Sequence, residues 1–204
     1  MPQRHAPATA RNRDVILTLL QRHLPEAGTV LEIASGSGEH AVYFAPTLAP
    51  RLWQPSDINP DNIASINAWR ADYPSDNLLA AITLDVSENP WTIEQYPMAT
   101  AVTAIVSINM IHIAPWACCE GLLAGSERLL ASGGLVYLYG PFIRDGVPTS
   151  ASNAAFHQQL TQQNPAWGLR HLDSVIALAE NHRLDCIEVV DMPANNLSVI
   201  FKAR

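Results

Sequence analysis

Residues 30–40 read VLEIASGSGEH, an apolar stretch that contains one acid, Glu32, and ends in two glycines, Gly36 and Gly38. A strand that enters such a turn and continues into a helix leaves its backbone open to a ligand, because a Cβ atom would block close approach and the first turn of a helix carries free N–H groups. Two cofactor classes use this geometry, and Gly36, Gly38 and Ala41 also satisfy the dinucleotide spacing, with alanine in the third place. The turn therefore predicts a nucleotide-like ligand of either class.

The acid in the strand distinguishes the two classes. Glu32 lies four positions before Gly36, where a dinucleotide site ordinarily keeps an apolar residue. S-adenosylmethionine, unlike a pyrophosphate, carries an ammonium and a sulfonium centre, and a nearby carboxylate attracts both. Glu32 therefore favours S-adenosylmethionine.

Two further acids follow apolar stretches that read as strands. Asp57 comes about 20 residues after the turn, where a carboxylate accepts ribose hydroxyls in both cofactor classes; the alternative is a cap for the helix that starts near Pro60. Asp85 is placed to accept from an adenine amino group, with the backbone N–H of Val86 beside it; the alternative is a cap for the turn before Pro90. Three acids at successive strand ends are more typical of an adenosylmethionine site.

The stretch SINMIHIAPW follows the next predicted strand, so Asn109 and His112 are the polar groups nearest the expected methyl donor. An imidazole with a reference pKa of about 6.5 can accept a proton at neutral pH, which predicts a base or a substrate-orienting role for His112. A hydrogen-bonded structural histidine is the alternative. Asn109 is predicted to hold the cofactor or to orient an acceptor, and Tyr139 to contribute from the following strand.

A long segment at about 141–170 leaves the predicted sheet at its carboxyl edge, where ligands of such sheets bind. It is predicted to contain one helix before Asn164 and to act as a lid or substrate wall. The alternative is a crossover without function, in which its side chains only pack or face solvent. Its candidate acceptor-binding residues are Phe142, Arg144, Asn153, Trp167 and Arg170.

Elements that read as strands and helices alternate along the chain, and consecutively apolar strands are typical of a parallel sheet covered on both faces. The fold class is α/β, a doubly wound and mostly parallel sheet in one domain over residues 1–204. Strands are predicted near 29–34, 51–56, 78–84, 102–108 and 134–140, and helices near 9–24, 38–47, 60–71, 116–131 and 171–182. Two final apolar runs, 185–191 and 197–202, are joined too closely for a crossover helix and predict an antiparallel pair.

Composition narrows the function classes. The 204 residues carry a net charge of −7 and no basic cluster, which argues against nucleic acid as a partner. The three cysteines have no metal-ligand spacing, so no metal site is predicted and a reduced, cytoplasmic setting fits. Neither a secretory signal nor a membrane-spanning stretch is visible. The expected partners are a small-molecule acceptor and at most a second copy, as a monomer or homodimer.

The chain resembles the class I S-adenosylmethionine-dependent methyltransferases and, more narrowly, the methyltransferase-like protein 26 family. The motifs that carry the resemblance span nearly the whole chain: ARNRDVIL, LEIASGSGEH, WQPSDIN, LDVS, INMIHIAPW, YLYGPF, SNAAFHQQL, WGLRHLDSV and MPANNLSVIFK. The resemblance implies a seven-stranded sheet whose last strand is antiparallel. It also implies a cofactor site formed by Asn12, Glu32, Ala34, Ser35, Gly36, Gly38, Asp57, Ile58, Asp85, Val86, Asn109 and Met110.

The sequence therefore predicts an enzyme that transfers a methyl group from S-adenosylmethionine to a small-molecule nucleophile. Alignment of the nucleophile and exclusion of water are the protein's main tasks in such a transfer, and a base such as His112 helps when the acceptor must lose a proton. Two alternatives stay open: an NAD(P)-dependent oxidoreductase on a Rossmann sheet, and a protein that binds S-adenosylmethionine without catalysis.

Overall fold

The computed structural model describes residues 3–95 and 98–204 and contains the predicted alternation of strands and helices. The helices are α1 Pro7–His23, α2 Glu39–Thr47, α3 Pro60–Asp72, α4 Trp116–Leu129, α5 Ala151–Gln163 and α6 Leu172–Asn181. The strands are β1 Thr29–Ile33, β2 Leu52–Asp57, β3 Ile82–Thr83, β4 Val102–Ile108, β5 Leu135–Gly140, β6 Leu184–Met192 and β7 Asn196–Ala203. Among the helices described, none is long and apolar enough to cross a bilayer.

The strands form a seven-stranded sheet of order β3-β2-β1-β4-β5-β7-β6. β1 pairs with β2 and β2 with β3 in parallel, whereas β7 is antiparallel to both β5 and β6. The predicted α/β class, the mostly parallel sheet and the antiparallel final pair are confirmed. The link between β6 and β7 is a single 3-10 turn, Pro193–Asn195, which is too short for a crossover helix, so the two strands pair directly.

The predicted third strand is too long. Only Ile82 and Thr83 join the ladder of β2, and Leu78 forms one isolated bridge with Trp53. Leu79 N–H donates to the backbone O of Trp53 at 2.9 Å. At the next two residues side chains take over, since Ala80 O accepts from Gln54 Nε2 at 2.7 Å and Ala81 N–H donates to Asn67 Oδ1 at 3.1 Å. Side-chain hydrogen bonds thus replace the ladder at this edge of the sheet.

The chain divides into two compact units, of which the first comprises residues 1–85 and 90–106. Its core contains large side chains that are fully buried, among them Ile16, Phe44, Trp53 and Ile66. All five residues of β1 are buried, as expected for a strand covered on both faces. This unit holds the glycine turn and most of the predicted cofactor residues.

The second unit comprises residues 86–89 and 107–204. Tyr137 in β5 is fully buried, and its hydroxyl lies 2.6 Å from Ser198 Oγ in β7, which satisfies both polar groups in the core. β6 is an edge strand, and between its buried ends, Leu184 and Met192, it alternates between half-buried and exposed residues. The helix predicted within 141–170 is confirmed as α5, which ends at Gln163, before Asn164, and its role as a lid stays a prediction.

Candidate cofactor and acceptor sites

The glycine turn lies between β1 and α2 and needs unusual backbone conformations. Ala34, Gly36 and Gly38 have positive φ angles of 57°, 58° and 95°. A Cβ atom on Gly36 would have no other atom within 4 Å, so the space beside its backbone is open. Gly36 therefore has the local geometry that was predicted for close approach of a ligand.

Gly38 has a different reason to be glycine. A Cβ atom there would lie 2.7 Å from the Cα of Ile66 in α3. Together with its positive φ, this contact makes Gly38 a packing position, where α3 lies directly against the turn. The spacing of the two glycines did not distinguish these roles.

Glu32 is 2% exposed and is hydrogen-bonded inside the first unit. Its Oε2 accepts from Trp53 Nε1 at 3.0 Å and from Ser35 Oγ at 2.9 Å, while none of the residues described donates to Oε1. Burial raises the pKa of Glu32 from 4.5 to about 7, against the two hydrogen bonds and with a smaller contribution from the charge of Asp57. The carboxylate thus braces the turn through Ser35, and direct contact with a ligand stays a prediction.

Asp57 connects the end of β2 to the glycine turn. Its Oδ2 accepts from the N–H of Gly36 at 2.9 Å, and its Oδ1 accepts from the N–H of Asn59 at 2.9 Å. Each carboxylate oxygen has two lone pairs, so Asp57 keeps capacity for further donors such as ribose hydroxyls. The capping alternative for Asp57 is wrong, because Asn59 is the N-cap of α3 and accepts from Asp61 N–H.

Asn12 lies on α1 and is joined to α2. Its Oδ1 is 2.9 Å from Nε2 of His40, and burial lowers the pKa of His40 to about 4. His40 is therefore neutral at pH 7 and donates its Nε2 proton to Asn12. Of the other candidates in this unit, Ile58 is 59% exposed and Asp85 half-buried.

The second unit holds the remaining predicted cofactor residues, Val86, Asn109 and Met110. Val86 and Met110 are buried, and Asn109 has a positive φ of 64°. The N–H of Asn109 donates to Tyr139 O at 2.7 Å, which holds this strained residue at the end of β5. These placements leave the predicted contacts with a cofactor as predictions.

His112 is fully buried, and neither ring nitrogen has a hydrogen-bond partner among the described residues. The ring of Phe142 meets it edge-on at 4.9 Å between centroids, and a Cβ atom on Gly140 would lie 2.5 Å from Nε2. Burial, aided by the positive charge of Arg170 and opposed by the nearby backbone of Gly168, lowers the pKa of His112 to about 3. An unpartnered buried imidazole is unusual, and a base or substrate-orienting role for His112 stays a prediction beside the structural alternative.

A cavity of about 350 Å³ lies beside Phe142 in the second unit. Three of the predicted acceptor residues, Phe142, Arg144 and Asn153, line it. A further wall, which was not predicted, comes from the β6–β7 hairpin and includes Asp191, Asn195 and Leu197. We call this space the hairpin cavity. A return of the last hairpin toward α5 has no local sequence signal.

The other predicted acceptor residues do not line the hairpin cavity. Arg170 donates to the backbone carbonyls of Ile111, Ala114 and Ala166 at 2.6–2.9 Å, which gives it a structural role on either side of His112. Tyr139 is buried in β5, opposite Ser198 of β7, and Trp167 is half-buried. A part for these three in acceptor binding stays a prediction.

The residues of the first unit fit S-adenosylmethionine on three observations. The backbone at Gly36 borders open space, Asp57 retains lone pairs for hydroxyl donors, and Glu32 has one oxygen with no donor in the described part of the chain. A carboxyl group that is near its pKa at neutral pH becomes ionised more readily beside a cation. These groups together therefore suit a ligand that combines a ribose with a positive charge.

The solved structures that are similar to this chain share one fold. An O-methyltransferase family 2 protein from Planctomyces limnophilus, in complex with apigenin, superposes with a TM-score of 0.76 at 15% identity, covering 97% of this chain and 60% of its own. Human N-acetylserotonin methyltransferase, in complex with SAM, gives 0.75 at 12% identity, covering 96% and 52%. This chain thus spans little more than half the length of these two proteins.

A third similar structure is nearer in length. A putative sarcosine dimethylglycine methyltransferase from Galdieria sulphuraria has a TM-score of 0.72 at 13% identity, covering 96% of this chain and 86% of its own. At such identities the similarity shows the class I methyltransferase fold. The family described as "Protein of unknown function (DUF938)" matches residues 3–203. The chain therefore belongs to the DUF938 family.

Proposed function

We propose that this protein is an S-adenosylmethionine-dependent methyltransferase that acts on a small molecule. One observation carries the proposal: the open backbone at Gly36 is held by the carboxylate of Asp57, with the buried acid Glu32 behind the same turn. A dinucleotide site explains the turn and Asp57 but not Glu32. The narrower kinship with the methyltransferase-like protein 26 family rests on the motifs INMIHIAPW and MPANNLSVIF.

The cofactor supplies a methyl group on a sulfonium, which is already a good leaving group. In the proposed site, Asp57 accepts the ribose hydroxyls and Glu32 contributes negative charge toward the cation. The backbone of Ala34, Ser35 and Gly36 provides the close surface of the turn. The remaining proposed contacts come from Asn12, Ile58, Asp85, Val86, Asn109 and Met110.

On the acceptor side, the proposed roles belong to His112 and the hairpin cavity. The neutral imidazole has a free lone pair and accepts the proton that a hydroxyl or amine acceptor loses. A pKa of about 3 makes His112 a weak base, so it acts when the proton becomes acidic as the methyl group is transferred. Phe142 shields the imidazole from solvent, since its ring packs against it and is itself buried.

Calorimetry with S-adenosylhomocysteine and with NADH tests the cofactor assignment. We expect S-adenosylhomocysteine to bind with one site per chain and NADH not to bind. Binding of NADH alone would support the oxidoreductase alternative, and binding of neither would contradict the proposal.

A transfer assay then tests catalysis. Tritiated methyl groups from S-adenosylmethionine are expected to enter a small-molecule fraction of a cell extract, and the His112→Ala variant is expected to transfer far less. Cofactor binding without transfer into any fraction would favour the non-catalytic binding protein.

A further inference from the structure

The hairpin cavity has one charged pair in its wall, between Arg144 and Asp191. Arg144 Nη1 lies 3.0 Å from Asp191 Oδ1, and the two side chains are 38% and 76% exposed. Exposed pairs of this kind contribute at most about 1 kcal/mol, so the guanidinium can turn toward a ligand at small cost. Only Nη1 of Arg144 has a partner among the residues described, which leaves Nε and Nη2 as donors.

Asn153 supplies a second directed group on the same cavity. It is 8% exposed, and its Nδ2 donates to Asn195 O at 2.8 Å, which fastens the β6–β7 turn to α5. The Oδ1 atom has no donor within the described residues, so it is available to accept a hydrogen bond. Since the amide nitrogen is fixed, the direction of this acceptor is fixed as well.

The cavity therefore offers the guanidinium of Arg144, the oriented acceptor Oδ1 of Asn153 and an apolar surface at Phe142. The apolar part of the lining includes Phe142, Met192 and Leu197, and the ring of Phe142 also contacts His112. A guanidinium with two neighbouring N–H groups free matches a carboxylate, which it binds through two parallel hydrogen bonds. With Asp191 beside it, the wall carries no net charge, which suits a monoanion better than a phosphate dianion.

We infer that the methyl acceptor is a small carboxylate-bearing molecule bound in the hairpin cavity. Arg144 holds its carboxylate, Asn153 Oδ1 accepts from an O–H or N–H of the same molecule, and the end to be methylated lies toward Phe142. The inference rests on the proposed function. It differs from that function in naming the acceptor's charge, which nothing in the cofactor site specifies. A cavity of about 350 Å³ is near the lower end of the range for ligand sites, roughly 300–1,000 Å³, and suits a small acceptor.

Fluorine NMR with a fragment set of matched carboxylic acids and their primary amides tests the inference, in the presence of saturating S-adenosylhomocysteine. We expect the acids to bind at least about tenfold tighter than their amides, and Arg144→Gln to abolish this preference. The control variant is Arg204→Gln, because Arg204 forms a similarly exposed pair with Asp185 at the other end of β6, outside the hairpin cavity. This variant is expected to keep the preference.

Three results would overturn the inference: equal binding of acids and amides, a preference that survives Arg144→Gln, or no binding of any acid at 10 mM. Calorimetry with S-adenosylhomocysteine on the same samples separates these results from failure of the proposed function. If S-adenosylhomocysteine binds wild-type protein and the acid preference is absent, only the inference about the acceptor fails. If it does not bind, the proposed function itself fails.

Discussion

Replacing Glu32 by glutamine is expected to stabilise the ligand-free protein at alkaline pH. The carboxylate is buried, and burial raises its pKa from 4.5 to about 7. The folded state therefore keeps a proton on Glu32 over a pH range in which the unfolded chain has lost it. Glutamine has the same shape, stays neutral, and its side-chain oxygen can still accept from Trp53 and Ser35.

The size of the effect follows from the two pKa values. Each tenfold change in proton affinity corresponds to about 1.4 kcal/mol, so the shift from 4.5 to about 7 corresponds to about 3 kcal/mol of unfolding free energy. Because the folded pKa is the higher one, this contribution is present below pH 4.5, declines as the pH rises toward 7, and is gone above it. The unfolding free energy of the variant lacks this decline, so at pH 8 it should be higher than that of the wild type by up to about 3 kcal/mol.

Urea unfolding of both proteins at pH 5 and pH 8, followed by circular dichroism, measures the difference. Other titrating groups cancel when the variant is compared with the wild type at each pH. Glu26→Gln is the control, because Glu26 is exposed in the loop before β1. Its replacement should leave the difference in unfolding free energy between pH 5 and pH 8 as it is in the wild type. A Glu32→Gln variant no more stable than the wild type at pH 8, with the same dependence on urea, would refute the reasoning.

Three other predictions test the site by substitution. Asp57→Ala should weaken S-adenosylhomocysteine binding by about 1–3 kcal/mol in calorimetry, since hydroxyl donors lose their acceptor; unchanged affinity would remove Asp57 from the site. His112→Ala should lower turnover and spare cofactor affinity, and wild-type turnover should show no histidine titration between pH 5 and 7, because the pKa of His112 is about 3; equal loss of turnover and affinity would indicate a structural role. Gly38→Ala should lower the melting temperature more than Gly36→Ala, because only at Gly38 does a Cβ atom meet the Cα of Ile66; the reverse order would contradict the packing argument.

The sheet was predictable because its strands are buried on both faces. In β4 the residues Ala104, Ile105 and Val106 are consecutively apolar, which a half-exposed strand would not tolerate. β3 was mispredicted because it is an edge strand of the sheet, and its apolar pattern continues beyond the two residues that pair. The apolar pattern of a segment thus indicates burial. Whether an edge strand pairs along its whole length depends on residues in the neighbouring strand, which that pattern does not contain.

The types of the residues in the candidate site could be predicted from the sequence, but the contacts that these residues make could not. The acid before the glycines was evident, yet the indole of Trp53 that binds Glu32 lies 21 positions away. Likewise, the contact of Gly38 with Ile66 depends on how α3 packs, and the wall of the hairpin cavity depends on where the β6–β7 turn lies. Such contacts are set by the register of strands and the packing of helices, which no single segment encodes.

Glu32 and Asp57 divide two tasks at the glycine turn. Asp57 binds the backbone N–H groups of Gly36 and Asn59, so removing its carboxylate changes both the shape of the turn and its acceptors. Glu32 is braced by side chains, so its charge can be removed while the shape is kept. In the proposed function, Asp57 therefore governs affinity for any ribose-bearing ligand. Glu32 governs the preference for a cationic ligand. Because burial opposes a charge on Glu32, part of the attraction between the ligand and the carboxylate is offset by the cost of ionising that carboxyl group.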